Sequence, residues 1–270
     1  MISFDVKKFQ DLYNVTDYKL KFVVYSHSSF LEVLKIQIDY LTGIGDMILI
    51  INKNDEDLNE IYNSFEKVIF YEDSQPYGYR LLSTIEEVPY DYFIFIHDND
   101  IVFHIDVEKV KSMFTFLREN NYDRVDFQLA YDFDTLKGHE IMDHELYYIK
   151  SSNTDTTNKG YPYNVNPSIW KKETLLDIMN KFGFRDYRTI EHPDTQNYSV
   201  NFNIFKLFSK NKFKCGYFIC LEPLKYLHIT HYGKYLNLNN IPEEDSKDIK
   251  NEYVNIIKKY NLTNSEKWQK

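Results

Sequence analysis

The sequence contains little alanine, cysteine, glycine or proline. Among its 270 residues only Ala130 is an alanine, and there are two cysteines, eight glycines and seven prolines. The cysteines, Cys215 and Cys220, are five residues apart, and on a strand this odd spacing places them on opposite faces. We therefore predict that they pack in the core and form neither a disulfide nor a metal site.

The sequence also has no long apolar run, no basic stripe and no linker-like or repeated segment. No stretch reaches the ~20 apolar residues of a membrane-spanning helix, which predicts a protein without a transmembrane segment. A net charge of −9 without a Lys/Arg block argues against nucleic acid as a partner. The N-terminal residues show no apolar run after a basic segment, so we predict no signal peptide and a cytoplasmic location. The length and the missing linker favour one domain over residues 1–270.

The first hundred residues alternate between apolar strands and helical patterns. The strands are apolar along their length instead of at every second residue. This pattern is typical of a parallel sheet that is covered on both faces. Such α/β sheets bind ligands beyond the carboxyl ends of their strands. The predicted strands are Leu20–His27, Asp46–Asn52, Lys67–Glu72 and Asp91–His97, and the helices between them fall within residues 28–45, 54–65 and 77–88.

The second half of the chain is less regular. It predicts a strand, a polar loop, a helix, a further helix that starts near Glu191, one or two strands and a charged amphipathic helical tail. In the same order these segments cover Arg124–Phe133, Ser151–Gly160, residues 168–183, 190–208, 213–235 and 241–270.

Two carboxylates follow the fourth apolar strand, in the segment His97-Asp98-Asn99-Asp100. On a continuous strand, residues i and i+2 project to one side, so Asp98 and Asp100 are expected to face one crevice. Their mutual repulsion is relieved when a cation lies between them. Oxygen ligands suit Mg²⁺ or Mn²⁺, which leave open positions for phosphate oxygens. The alternative is a solvated pair of acids in a turn.

This βαβαβαβ half that ends in Asp-x-Asp resembles the GT-A fold of glycosyltransferases that use nucleotide sugars. The resemblance implies a Rossmann-like, mostly parallel central sheet flanked by helices, with an irregular acceptor-side C-terminal half. It implies a nucleotide-sugar half in residues 1–103, an acceptor and catalytic half in 104–240 and a tail in 241–270. In that family the Asp-x-Asp motif holds a divalent cation against the donor diphosphate, which assigns Asp98 and Asp100 as metal ligands.

The resemblance also implies roles for basic residues on both sides of the motif. Arg80, on the helix before the motif strand, is expected to face the donor diphosphate, because guanidinium grips two oxygens; the alternative is a surface arginine. His231 is the predicted third metal ligand, with His228 as the alternative, and a nitrogen ligand favours Mn²⁺ over Mg²⁺. Lys234 follows Gly233 directly and matches the family's Gly-x-x-Lys phosphate element only in part.

Inverting members of the family place an acidic residue at a comparable point as general base. Here Glu191 is the predicted base that deprotonates the acceptor hydroxyl. Asp194 and Asp186 compete for the role, and a helix-capping acid is the other interpretation. A retaining mechanism needs no such base, and the partial Lys234 element leaves that outcome open.

By position, the loops after the first two strands are expected to hold the nucleotide. They contain Tyr25, Ser26 and His27 after the first strand and residues 52–55 after the second. Tyr25 stacks on the base or packs in the core, and the sequence leaves both interpretations open. The polar loop Ser151–Gly160 is expected to order over the donor.

These observations predict a metal-dependent glycosyltransferase that moves a hexosyl or related sugar from a UDP- or GDP-sugar to a glycan or other hydroxyl acceptor. One alternative is a nucleotidyltransferase, although the segment after the first strand lacks the glycines and lysine usual in those enzymes. The other is a catalytically silent nucleotide- or sugar-binding protein of the same fold.

Overall fold

A computed structural model describes most of the N-terminal half of the chain and several segments of the rest. The described residues are 19–53, 58–121, 123–127, 140–141, 149–150, 163, 165–182, 215–217, 224–231, 234–235 and 247–265. Among them, no helix has the length and apolar character needed to cross a lipid bilayer.

The centre of the fold is a sheet with seven strands in the described part of the chain. They are β1 (Leu20–Tyr25), β2 (Gly45–Asn52), β3 (Lys67–Tyr71), β4 (Tyr92–His97), β6 (Arg124–Asp126), β9 (Ser168–Lys171) and β10 (Cys215–Tyr217). Their order across the sheet is β10-β6-β9-β4-β1-β2-β3. β9 runs antiparallel to β4 and β6, and the other neighbouring strands in this order are parallel.

Six further strands of the described residues form three two-stranded sheets. They are β5 (Asp100–Ile105), β7 (Glu140–Ile141), β8 (Ile149–Lys150), β11 (Leu224–His228), β12 (Thr230–His231) and β13 (Lys234–Tyr235). β5 and β11 form an antiparallel ribbon, in which His228 lies opposite Asp100. β12 and β13 form a hairpin, in which His231 lies opposite Lys234, and β7 pairs with β8.

Helices accompany the strands along the chain. They are α1 (Leu31–Leu41), α2 (Asn59–Tyr62), α3 (Tyr77–Ile85), α4 (Val107–Asn120), α5 (Lys172–Phe182) and α6 (Lys247–Lys259), with short 3-10 turns at Ser28–Phe30 and Leu262–Asn264. β1, β2 and β4 contribute buried side chains to two hydrophobic clusters, in which Phe22 and Val24 belong to one and Val23 to the other. Alternate side chains of the same strands are therefore buried on both faces of the sheet. The predicted fold class, an α/β fold with a mainly parallel central sheet flanked by helices, is confirmed.

The structure corrects three predictions about the elements. Ser168–Lys171 was predicted as the start of a helix but is a strand, because Ile169 and Trp170 are fully buried between β4 and β6. The region of residues 213–235 holds parts of four strands rather than one or two. Asp98 and Asp100 do not lie on one continuous strand, since β4 ends at His97 and β5 begins at Asp100.

Helix α4 was not predicted from the sequence. The Asp106 carboxylate accepts a hydrogen bond from the Lys109 amide at 3.1 Å and caps its first turn. Asn121 ends the helix in the left-handed conformation with φ 52°. The apolar residues that it buries at helical spacing are Val110, Met113, Phe114 and Leu117.

Candidate functional site

The carboxyl ends of β1, β2 and β4 lie side by side at one edge of the sheet. In the strand register, Tyr25 is level with both Ile50 and His97. Asn52 ends β2, and its side-chain oxygen accepts a hydrogen bond from the Ser28 amide at 2.6 Å. This edge is where the parallel-sheet argument predicts a ligand site.

Asp98 lies in the turn after β4 and is bonded to the segment after β1. Its Oδ2 accepts a hydrogen bond from the His27 amide at 2.9 Å, and its own amide donates to the Tyr25 carbonyl at 3.0 Å. The pKa of the Tyr25 hydroxyl is raised to about 12, mainly by burial. The hydrogen bond with Tyr71 and the contact with Arg80 lower this pKa, whereas the Asp98 charge raises it further.

Asp100 is a buried carboxylate held by a histidine from the second half of the chain. Its residue exposure is 1%, and its Oδ1 accepts a hydrogen bond from Nδ1 of His228 at 3.0 Å. The His228 side chain remains 41% exposed. His228, the alternative third ligand, is thus bonded to one of the two predicted metal-binding carboxylates.

The metal site predicted at Asp98, Asp100 and His231 stays a prediction. Two carboxylates flanking one turn fit Mg²⁺ or Mn²⁺ when substrate phosphates complete the coordination. The described residues contain no group of three or more His, Cys, Asp or Glu side chains arranged to hold a metal ion. The side chain of His231 lies outside the described residues, so its role stays a prediction.

Arg80 is engaged by the loop that follows β3. Its Nε donates a hydrogen bond to the Gln75 carbonyl at 2.6 Å, and its Nη2 donates to the Asp73 carbonyl. Its Nη1 lies 3.4 Å from Oδ1 of Asp73, and the other carboxylate oxygen lies 3.1 Å from Nε2 of His27. Arg80 is therefore placed at the predicted end of the sheet, with Asp73 as its anionic partner.

Tyr25 belongs to a buried group of aromatic rings. Its ring stacks on Tyr71 with centroids 5.2 Å apart and planes 6° apart, and Tyr77 meets it edge-on at 5.5 Å. The Arg80 guanidinium lies over the Tyr71 ring at 5.1 Å. With Tyr25 only 7% exposed, the geometry favours the core-packing interpretation of its ring over stacking on a base.

Three polar side chains next to this group, Tyr77, His97 and Tyr163, contact one another in a row. The Tyr77 hydroxyl lies 3.1 Å from Nε2 of His97 and 2.5 Å from the Tyr163 hydroxyl. Burial lowers the pKa of His97 from 6.5 to about 3, so the imidazole is neutral near pH 7. The row joins the last residue of β4 to a residue from the second half of the protein.

Several predicted site residues remain untested. Glu191, Asp194, Asp186 and the loop Ser151–Gly160 lie outside the described residues, as does Cys220. Lys234 is described and exposed on β13. Ser26 is fully buried, and its amide donates to the Ile50 carbonyl at 2.8 Å.

Sequence reasoning missed four side chains at this edge. Asp73 follows the third strand, so a check of acids after every predicted strand finds it. The other three, Tyr71, Tyr77 and His97, carry no local signal that separates them from core aromatics.

Comparisons with known proteins give distant structural similarities. No family model matches the chain, and no curated protein matches it. A Staphylococcus aureus TarS 1–349 structure is 12% identical with a TM-score of 0.43, covering 75% of this chain and 59% of that one. The same TarS fragment in complex with UDP-GlcNAc gives 12% identity and a TM-score of 0.47, covering 92% and 68%. A cytidylyltransferase from Leptospira borgpetersenii gives 11% identity and a TM-score of 0.44, covering 92% and 98%. These values describe a distant likeness of architecture and assign no activity to this chain.

Proposed function

We propose that this protein is a glycosyltransferase that binds a nucleoside-diphosphate sugar at the carboxyl end of β1, β2 and β4. The observation that supports this most is the hydrogen bond between the Asp98 carboxylate and the His27 amide. It fixes an acidic turn beside the segment that, by position in a parallel sheet, meets the nucleotide.

In this proposal Asp98 and Asp100, with His231, hold Mn²⁺ or Mg²⁺ together with the donor diphosphate. Such a cation, when bound, offsets the negative charge that develops on the leaving diphosphate. Asp100 is held in orientation by His228, and Asp98 by the His27 amide. Two fixed carboxylates lose little conformational freedom when they bind a cation, which favours binding.

Arg80 and Lys234 are proposed to contact the diphosphate. Arg80 is bonded to Asp73 and to the carbonyls of its loop, so contact with the donor requires it to exchange Asp73 for phosphate oxygens. A phosphate group offers the same paired oxygens as the carboxylate. Lys234 is exposed on β13 and meets the donor without breaking a described ion pair.

The chemical step moves the sugar from the diphosphate to the acceptor oxygen. The bond from the anomeric carbon to the diphosphate breaks as the bond to the acceptor oxygen forms. Glu191 is proposed to take the acceptor hydroxyl proton, with Asp194 as the alternative base. In a retaining enzyme neither residue is needed for that step, and the anomeric configuration of the product distinguishes the two outcomes.

A donor screen tests this proposal. Thermal unfolding is measured with UDP, GDP, CDP and their sugar conjugates, each with and without Mn²⁺, and donor breakdown is followed by release of nucleoside diphosphate. We expect a UDP- or GDP-sugar to raise Tm only with metal and to be hydrolysed slowly. Asp100→Ala is expected to abolish nearly all of that turnover. Full turnover in Asp100→Ala with metal present would contradict the proposal.

The same screen, extended to UTP, GTP and CTP with and without a sugar phosphate, separates the alternatives. A nucleotidyltransferase is expected to bind a nucleoside triphosphate and release pyrophosphate in the presence of a sugar phosphate. A silent binding protein is expected to show the ligand-induced rise in Tm without any product. Either result would replace the glycosyltransferase proposal.

A further inference from the structure

The hairpin formed by β12 and β13 is attached at its first strand to the acidic turn. The Ile229 amide donates a hydrogen bond to the Asn99 carbonyl at 2.9 Å. One residue earlier, His228 donates to Asp100. Ile229 is fully buried, in a hydrophobic cluster that also contains Val33 of α1. The segment bonded to the Asp98–Asp100 turn therefore ends at Ile229, two residues before His231.

The second strand of the hairpin is attached to α1. The Tyr235 side chain is fully buried, and its hydroxyl donates a hydrogen bond to Oε2 of Glu32 at 2.8 Å. Burial and this bond to Glu32 raise the pKa of Tyr235 well above its usual value, so the phenol stays protonated and remains a donor. Glu32 therefore fixes the residue that directly follows Lys234.

Glu32 also receives a bond from the end of the chain. The Ser265 hydroxyl donates to the same Oε2 at 2.8 Å. The two bonds are equal in length and share an acceptor, and the Ser265 side chain also hydrogen-bonds to Tyr235. Ser265 therefore belongs to the same attachment, and Lys35, an exposed residue one turn further along α1, offers the control position.

Glu32 lies in the first turn of α1, directly after the 3-10 turn Ser28–Phe30. That turn is capped by His27, whose Nδ1 accepts a hydrogen bond from the Ser29 amide at 3.0 Å. The His27 amide in turn donates to Asp98. The acidic turn and the end of the hairpin are thus anchored to two ends of one short segment, residues 27–32.

We propose that Glu32 is a positioning residue that holds the β12–β13 hairpin, and with it His231 and Lys234, against the Asp98–Asp100 turn. The role of the hairpin in ligand binding rests on the proposed function, whereas its attachment through Glu32 does not. Glu32 touches neither the donor nor the cation. It acts through Tyr235, because the hydrogen bond at the end of the hairpin limits the positions that His231 and Lys234 can take.

The experiment compares Glu32→Ala, Glu32→Gln, Tyr235→Phe and the control Lys35→Ala in the full chain. Hydrogen exchange of the peptide that contains residues 230–235 reports the attachment of the hairpin without any ligand. The Kd for UDP and for GDP in saturating Mn²⁺, and the Mn²⁺ concentration needed for half-maximal binding, report its effect on the site. Urea unfolding measures the stability of each variant.

We expect Glu32→Ala and Tyr235→Phe to speed exchange in the hairpin and to raise the nucleotide Kd about tenfold, as for one lost hydrogen bond to a charged group. Lys35→Ala is expected to leave both unchanged. Glu32→Gln, which keeps an acceptor oxygen, is expected to restore most of the binding. The double variant Glu32→Ala with Tyr235→Phe is expected to be no worse than either single variant.

Three outcomes would overturn the proposal. They are unchanged hairpin exchange in Glu32→Ala, an equal effect of Lys35→Ala and Tyr235→Phe, and weaker binding that follows the urea stability of the variants instead of the hairpin exchange. If the unmodified protein binds no nucleotide with Mn²⁺, the proposed function fails instead, and the exchange data alone still decide whether Glu32 holds the hairpin.

Discussion

Single side chains join the strand ends at the candidate site to the segments around them. The Asn52 side chain accepts a hydrogen bond from the Ser28 amide at 2.6 Å, and the Asp98 side chain accepts one from the His27 amide at 2.9 Å. The side chains of His97, at the end of β4, and Tyr77, on α3, lie within hydrogen-bonding distance of each other. Backbone pairing in the sheet does not supply these links, because their partners lie at or beyond the last residues of the strands. At the scale of the residue, the site depends on a few buried polar groups whose loss leaves a partner unsatisfied.

Tyr77→Phe is expected to destabilise the protein by about 1–3 kcal/mol, because His97 and Tyr163 both lose a hydrogen-bonding partner in a buried setting. Tyr79→Phe is the control, since Tyr79 is on the same helix and 45% exposed. Urea unfolding of the two variants measures the difference. Equal stability of both would show that the Tyr77 hydroxyl contributes nothing.

Stability is expected to fall as the pH is lowered from 6.5 towards 3, partly because of His97. Its pKa is about 3 when folded and 6.5 ordinarily, so between these values the unfolded chain binds the extra proton. The free energy of unfolding then decreases with falling pH by up to ~1.4 kcal/mol per pH unit from this group. Urea titrations of His97→Gln, which cannot take up that proton, are expected to give a shallower slope than the unmodified protein, and parallel slopes would contradict this account.

The first parallel strand pair, β1 and β2, has a close backbone approach at Gly45. Gly45 starts β2 opposite Leu20 of β1. A Cβ at Gly45 would lie 2.4 Å from the Leu20 carbonyl oxygen and 2.8 Å from Cε2 of Phe22. At the scale of the element, the first parallel pair therefore depends on a missing side chain, and this is one use of the few glycines in the sequence.

Gly45→Ala is expected to lower the free energy of unfolding by about 1–3 kcal/mol or more, since backbone atoms cannot move aside cheaply. Glu60→Ala, at an exposed position on α2, is the control and is expected to change stability little. Denaturant melts of both variants decide the matter. A Gly45→Ala protein as stable as the control would mean that β1 and β2 separate more easily than the close contact implies.

The correctly predicted elements are those whose own residues show an apolar pattern that fits only one type of element. The strand Leu20–Tyr25 is apolar except at Lys21, so the sequence predicts it with its parallel pairing. Ser168–Lys171 shares its apolar residues with the helix that follows, and only the space between β4 and β6 makes it a strand. Local pattern could not decide between the two.

The sequence located the segments that carry the predicted site residues, but not the contacts of their side chains. Asp98 directly follows β4, Asp100 begins β5 and Arg80 lies on α3. The bond between His228 and Asp100 joins residues 128 positions apart, and the one between Tyr235 and Glu32 joins residues 203 apart. Contacts over such separations depend on the whole fold and leave no local pattern.

At the scale of the whole molecule, the C-terminal helix completes a hydrophobic cluster that begins in the first half of the chain. Tyr253 and Ile256 of α6 are fully buried with Val33 and Ile36 of α1. At the edge of this contact the Tyr40 hydroxyl donates to Glu252 at 2.5 Å. The tail is thus part of the same core as the helix that carries Glu32.

Ile256→Ala is expected to cost about 2–5 kcal/mol, because it leaves a cavity in this cluster. Asn251→Ala, at an exposed position of the same helix, is expected to stay within about 0.5 kcal/mol of the unmodified protein. Thermal and urea unfolding measure both. A small effect of Ile256→Ala would show that α6 packs on α1 without contributing to its stability.

The most direct test of the central claim is nucleotide binding by Asp98→Asn in the presence of Mn²⁺. Asparagine keeps an oxygen for the His27 amide and removes the charge that a cation requires. We predict that its Kd for UDP or GDP rises more than about tenfold, while Asp91→Asn, at the opposite end of the same strand and exposed, binds as the unmodified protein does. Equal Mn²⁺-dependent binding by Asp98→Asn and the unmodified protein would contradict the account.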